Sequence, residues 1–223
     1  MASSPADQSR ANPLFYGFIK AVLYIAYKIF FRVQFFGVEN VAEISERRGV
    51  ILAPNHASYL DPPIVGISVK RRVTYLAKEY LFGKFVVGWV LRSIGAFPIK
   101  TRSDDFRSVR RLIQILRDGK CVAIFPEGTR SPDGTLREAE SGVGFLAVKS
   151  ESVVVPVYVQ GTFEAFPRGA KFFKCSPIKA HFGTPFVPSE DKEILGQDDP
   201  YSAVGKKIMA QIKALKEDAE SRV

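Results

Sequence analysis

GVILAPNHASYLDPP occupies residues 49–63. It opens with a continuous apolar run, which reads as a strand buried on both faces. The run stops at Asn55. Pro62 and Pro63 suit the first turn of a helix, because their fixed φ is helical and the N–H they lack has no partner there anyway. Asp61 precedes them as an N-cap. A buried strand that passes through a short polar loop into a helix is the repeating unit of an α/β domain.

The same unit recurs outward from this stretch. FRVQFFGVEN (31–40) ends a short strand at a glycine turn. RRVTYLA (71–77) is a strand or the start of a helix, KEYLFGKFVVGWVLRSIG (78–95) is helical, and GAFPIK (95–100) is a short strand. Ser103, Asp104 and Asp105 open a helix with apolar positions at Phe106, Val109, Leu112, Ile113 and Leu116, closed by Asp118 and Gly119. KCVAIFP (120–126) is a second buried strand. After it come a helix at GVGFLAVKS, strands at SVVVPVYVQ and PIKAHFG, and an amphipathic helix from Tyr201 to Lys216. The expected fold class is α/β, a mixed and largely parallel sheet flanked by helices.

Of 223 residues, 46% are hydrophobic and 25% charged, which fits a globular chain. Lys and Arg number 32 against 23 Asp and Glu, a formal net charge of +9 that favours anionic partners. Cys121 and Cys175 lie far apart with no metal-ligand spacing; both read as core filler in a reducing compartment. The start, MASSPADQSR, lacks the apolar core of a secretory signal. From Leu14 to Phe36 the text is apolar, interrupted by Lys20, Lys28 and Arg32. On a helix these cations share a broad stripe with Tyr16, Tyr24 and Tyr27, and the other side is Leu, Ile, Val and Phe. That is the pattern of an amphipathic helix lying in a membrane interface, with a core helix or a true span as alternatives. Residues 1–34 are therefore assigned to an N-terminal tail and membrane-associating helix, and 35–223 to one domain.

Two loops carry candidate chemistry, and each follows a buried strand, where ligands bind in α/β sheets. In NHASYLD (55–61), His56 is one of two histidines in the chain. Asp61 can meet it only if the segment turns. An Asp on Nδ1–H fixes the tautomer and leaves Nε2 as a general base for an alcohol or water. No nucleophile elbow is present, so direct attack by an external hydroxyl is favoured. In FPEGTRSPDG (125–134), Gly128 permits close backbone approach, Thr129 and Ser131 offer hydroxyls, Arg130 offers a fork for phosphate, and Glu127 can accept from a glycerol hydroxyl.

Together NHASYLD and FPEGTRS resemble the first and third blocks of the glycerolipid acyltransferases, specifically the 1-acyl-glycerol-3-phosphate acyltransferases of bacterial and plastid type. Asn55, His56, Ser58 and Asp61 match the first block, N-H-x-S-x-x-D, and Phe125 to Ser131 match the third. GAFPIKT from Gly95 is similar to the second, and Val155, Pro156 and Val157 to the fourth. The resemblance covers about residues 30–190. It implies that His56 is the base and Asp61 orients it. The sn-2 hydroxyl of 1-acyl-glycerol-3-phosphate would attack an acyl thioester, acyl-CoA or acyl-acyl carrier protein, giving phosphatidic acid. It also implies that Arg130 binds the phosphate with Lys100 or Arg102 as a second cation, and that Ser58, Glu127, Gly128 and Thr129 complete the substrate site. No metal or cofactor is required. The implied enzyme works on an anionic membrane surface at the cytoplasmic face, held there by the N-terminal helix.

Thr101 stands where the family usually has Arg, and Ala139 to Gly142 replace a Phe-Lys-x-Gly stretch. Both departures favour another lysophospholipid or a lyso-aminolipid as an alternative acceptor. A lipid-phosphate binding protein without catalysis and a hydrolase are lesser alternatives. Phe82, Phe85, Val86, Trp89 and Val90 read as core packing, with a membrane contact or acyl tunnel as the alternative. Gly142 to Ala147 fits a dinucleotide pattern but follows no strand. His181 is an ordinary strand residue. Arg107, Arg110, Arg111 and Arg117 form a solvated helix face, and no nucleic-acid signature accompanies them.

Overall fold

The computed structural model describes residues 13–85, 88, 91, 96–99 and 106–221. Among these, seven strands form one sheet: β1 (Gln34–Phe36), β2 (Val50–Pro54), β3 (Val73–Lys78), β4 (Phe97–Ile99), β5 (Cys121–Ala123), β6 (Val153–Gln160) and β7 (Lys179–Phe182). The helices between them are α1 (Pro13–Phe31), α2 (Glu39–Ala42), α3 (Asp61–Ser68), α4 (Glu79–Phe82), α5 (Phe106–Arg117), α6 (Ser141–Ser150), α7 (Thr162–Ala165), α8 (Lys192–Leu195) and α9 (Pro200–Ser221).

The strand order is β1-β7-β6-β2-β5-β3-β4, parallel throughout except for the antiparallel β6–β7 pair. The sheet is mixed and largely parallel, as the alternating text implies. β2 lies between β6 and β5, and all five of its residues are buried. This is why its sequence shows no polar alternation. One core layer joins α1 and α3 to one face of the sheet; α5, α6 and α9 cover the other. Gly144 explains the pattern set aside as a nucleotide motif: a Cβ there would stand 2.0 Å from the Tyr201 carbonyl oxygen, so the glycine lets α9 approach α6.

Several expectations change. Of the stripe of cations and tyrosines, Tyr16, Lys20 and Tyr27 turn inward, while Tyr24, Lys28 and Arg32 are exposed. The Tyr16 hydroxyl accepts from Val73 N–H at 3.2 Å, Tyr27 donates to the Leu60 carbonyl at 3.2 Å, and Lys20 donates to the Val69 carbonyl. Tyr27 and Phe31 belong to the main core, so the helix is packed into the domain. Its apolar side, with Leu14, Phe18, Ile25 and Ile29, is exposed. α1 is long and apolar enough to cross a membrane, by length and composition.

Asp61 is the first residue of α3, and Leu60 occupies the cap position. Cys121 is buried as expected, but Cys175 is exposed and fills no core. Phe85 is 93% exposed, which excludes core packing, and Phe82 packs partly buried on the core. Val86, Trp89, Val90 and the start of the helix at Ser103 lie outside the described residues.

Candidate active site

β2 and β5 are direct neighbours, so the loops that leave their carboxyl ends emerge side by side. The first loop is irregular from Asn55 until α3 begins. Asn55 starts it by extending the sheet with its side chain: its amide donates to the Val159 carbonyl at 3.1 Å and accepts from Val159 N–H at 2.7 Å. The loop then curls around one oxygen. Asp61 Oδ2 accepts from Ala57 N–H and Ser58 N–H, each at 2.8 Å, and from His56 Nδ1 at 2.9 Å. The two backbone bonds bend the chain so that residues five apart meet. Asp61 is fully buried and the His56 ring is 16% exposed. With Nδ1–H donated to the carboxylate, Nε2 is the acceptor.

The second loop grips the main chain of His56 from both sides. His56 N–H donates to Glu127 Oε1 at 2.8 Å, and the His56 carbonyl accepts from Ser131 N–H at 2.7 Å. The imidazole also stacks on Phe125, with ring centroids 3.9 Å apart. A tight turn shapes this loop. Gly128 has φ +65°, its N–H donates to the Phe125 carbonyl at 3.1 Å, and Thr129 N–H donates to the Glu127 carbonyl at 2.8 Å. That φ favours glycine.

Glu127 differs from its expected role as a hydroxyl acceptor. It is 3% exposed, and its second oxygen accepts from Arg137 N–H at 3.2 Å. Both oxygens are engaged with backbone, so it ties the loops together. Burial pushes its carboxyl up to about 7, while the His56 and Arg137 N–H bonds pull it down. Ser58 is corrected in the same way. It is fully buried, and its hydroxyl donates to the Phe166 carbonyl at 2.7 Å while accepting from Leu60 N–H at 3.2 Å. It stands behind the site as a brace.

Arg130 is half-buried. Its guanidinium lies over the Tyr59 ring, 3.5 Å from the centroid, and Nη1 is buried with no acceptor among the described residues. Thr129 and Gly128 are exposed beside it. Lys100, Thr101 and Arg102 lie outside the described residues. Tyr59, Phe125 and Arg137 were not picked out from the sequence. Tyr59 sits at a free position of the motif, Phe125 reads only as the strand end that opens the third block, and Arg137 acts through its backbone N–H and its charge near Glu127.

The site combines an oriented imidazole, a stacked guanidinium with one unpaired buried donor among the described residues, and surface glycine and threonine. Residues 32–160, more than half of the chain, match the sequence profile of the Acyltransferase family. The chloroplastic 1-acyl-sn-glycerol-3-phosphate acyltransferase of Arabidopsis thaliana is 32% identical over 145 residues, 64% of this chain and 40% of that one. The 1-acyl-sn-glycerol-3-phosphate acyltransferase of Bacillus subtilis is 26% identical over 179 residues, 80% of this chain and 86% of that one. The chain thus spans about two fifths of the plastid relatives it matches. The crystal structure of the 1-acyl-sn-glycerophosphate acyltransferase of Thermotoga maritima aligns with a TM-score of 0.73 over 95% of this chain and 83% of that one. At 23% identity, that likeness bears on the fold. On the profile match, this chain belongs to the Acyltransferase family.

Proposed function

We infer that this chain transfers a fatty acyl group from an acyl thioester, acyl-CoA or acyl-acyl carrier protein, to the sn-2 hydroxyl of 1-acyl-sn-glycerol-3-phosphate. The product is phosphatidic acid, a step of phospholipid biosynthesis. The observation that carries this reading is the 2.9 Å His56–Asp61 pair, which leaves Nε2 as an acceptor.

Nε2 takes the hydroxyl proton as the alcohol oxygen bonds to the thioester carbonyl carbon. Asp61 stabilises the imidazolium that results. The tetrahedral intermediate then expels the sulfur, which leaves as free thiol once it takes the proton from His56. Arg130 receives the acceptor's phosphate, with Lys100 or Arg102 as a second cation. Glu127 and Ser58 act through the loops they hold. The enzyme sits monotopically on the cytoplasmic leaflet, with the exposed apolar side of α1 in lipid and the surplus of cations drawn to anionic headgroups. The unpaired cysteines fit that side of the membrane.

Thiol release from palmitoyl-CoA in detergent micelles tests the reading. Release should depend on added 1-oleoyl-glycerol-3-phosphate, and mass spectrometry should find phosphatidic acid; no acceptor-dependent release with either donor, from folded protein, ends it. One observation favours a different lysolipid. Glu140 packs at Gly128, with Cγ 3.0 Å from where a Cβ would stand, which puts an acid beside the Arg130 loop. A panel that includes a lyso-aminolipid decides between the two acceptors.

The stacking of Arg130 on Tyr59 predicts a split in kinetic effects. A cation over an aromatic face is worth roughly 0.5–2 kcal/mol. Tyr59→Leu should raise KM for the phosphate acceptor about five-fold and leave KM for the thioester unchanged, while Tyr59→Phe stays near wild type. Equal changes in both KM values would show that Tyr59 only supports the loop.

A further inference from the structure

The chain between β6 and β7 carries an exposed pair of phenylalanines that the mechanism does not use. Phe172 is 84% exposed and Phe173 is 50% exposed. Arg168, Lys171 and Lys174 around them are exposed as well. Large aromatic groups on a loop tip, ringed by cations, are costly in water and suited to a bilayer surface, where the rings enter the acyl boundary and the cations meet anionic headgroups.

The loop continues a larger apolar surface. Phe173 meets Phe30 and Phe31 of α1 edge-on, with centroids 5.8 and 5.5 Å apart, so it extends the exposed apolar side of that helix. At its other end, Phe166 accepts the Ser58 hydroxyl bond and lies against Tyr59, with centroids 6.4 Å apart. The loop therefore spans from the lipid-facing helix to the His56 loop. We propose that residues 167–174 form a second bilayer contact, in which Phe172 and Phe173 insert into anionic membrane beside α1 at the mouth of the site. This rests on the reading of a membrane-surface enzyme, but lipid contact can be measured without turnover.

Trp89 is the only tryptophan. In a Trp89→Phe background, Phe172→Trp is compared with Leu195→Trp; Leu195 is 43% exposed in α8, in the layer on the opposite face of the sheet. Full-length protein is mixed with phosphatidylcholine vesicles containing phosphatidylglycerol, with and without brominated acyl chains, and bound protein is isolated by flotation. Brominated lipid should quench the Phe172→Trp variant at least two-fold and leave the Leu195→Trp variant nearly unchanged. Equal quenching of the two, or failure of the chain to float, overturns the proposal. As a second measure, Phe172→Ser with Phe173→Ser in the native-tryptophan chain should lower the partition constant about ten-fold; unchanged partition overturns it. A chain that passes these tests but transfers no acyl group would instead refute the activity.

Discussion

His56→Ala is expected to lower kcat about a thousand-fold while the chain stays folded. Positioned general bases contribute roughly 10²- to 10⁴-fold, and in the proposed reaction the imidazole takes the hydroxyl proton. The fold should survive because the second loop holds the main chain of residue 56, through Glu127 and Ser131, and Ala keeps both bonds. Asp61→Asn should lose a similar factor by a different route. The oxygen that accepts three donors at 2.8–2.9 Å can remain, but an amide is neutral and no longer stabilises the imidazolium. Its NH₂ would occupy the place of Oδ1, which is buried without a partner among the described residues, so some stability is lost too, roughly 1–3 kcal/mol. Single-turnover thiol release and thermal melting check both variants. Activity within ten-fold of wild type for His56→Ala would remove His56 from the mechanism.

The second large effect is expected at Glu127, which should not touch substrate. Its oxygens accept two N–H groups, one from each side of the loop junction. Glu127→Ala frees the His56 backbone, and a displacement of about 1 Å can cost on the order of a hundred-fold in rate. Glu127→Gln should lose about ten-fold, because its NH₂ must face one of those N–H donors. The same residue predicts a pH effect on stability. Burial raises its carboxyl from the ordinary 4.5 to about 7, so the folded chain binds the proton more tightly than the unfolded chain does. Its contribution is fully present below about pH 4.5 and declines as pH rises through 7, by on the order of 3 kcal/mol. Subtracting the denaturation free energies of Glu127→Gln from those of wild type, between pH 5 and 8, isolates the term. A difference that is flat or grows with pH contradicts the assignment.

The parts of the site that were legible in sequence are local or strongly patterned. The β2 run, the two prolines and the five-residue spacing of His56 and Asp61 lie within one short stretch. The two buried runs that each end in a polar loop are legible too, but the pairing of β2 with β5 is seen only in the structure. What escaped depends on direction or distance. A helical wheel groups Tyr16, Lys20 and Tyr27 but cannot say whether their side meets lipid or protein. β7 reverses its direction without any change in residue pattern, since alternation looks the same from both ends. Glu127 and Ser58 read as ligands because their chemistry fits a glycerol, yet their bonding is used up by backbone 71 and 108 residues away. Cys175 resembles Cys121 as text, but a Lys-rich loop and a central strand give them opposite surroundings.

The inward bonds of α1 also limit how the molecule can move. Tyr16 and Tyr27, with Lys20 between them, fasten a rigid rod at points spread over about 16 Å. A rod held at three places has no hinge. If its outer side rests in lipid, the whole domain loses the freedom to swivel, and the loop that carries His56 and the exposed Tyr59 keeps one heading relative to the leaflet. An acceptor already dissolved in that leaflet would then arrive by lateral diffusion, in a two-dimensional search with its headgroup presented in a single orientation. The soluble thioester would have to find the same loop from the aqueous side.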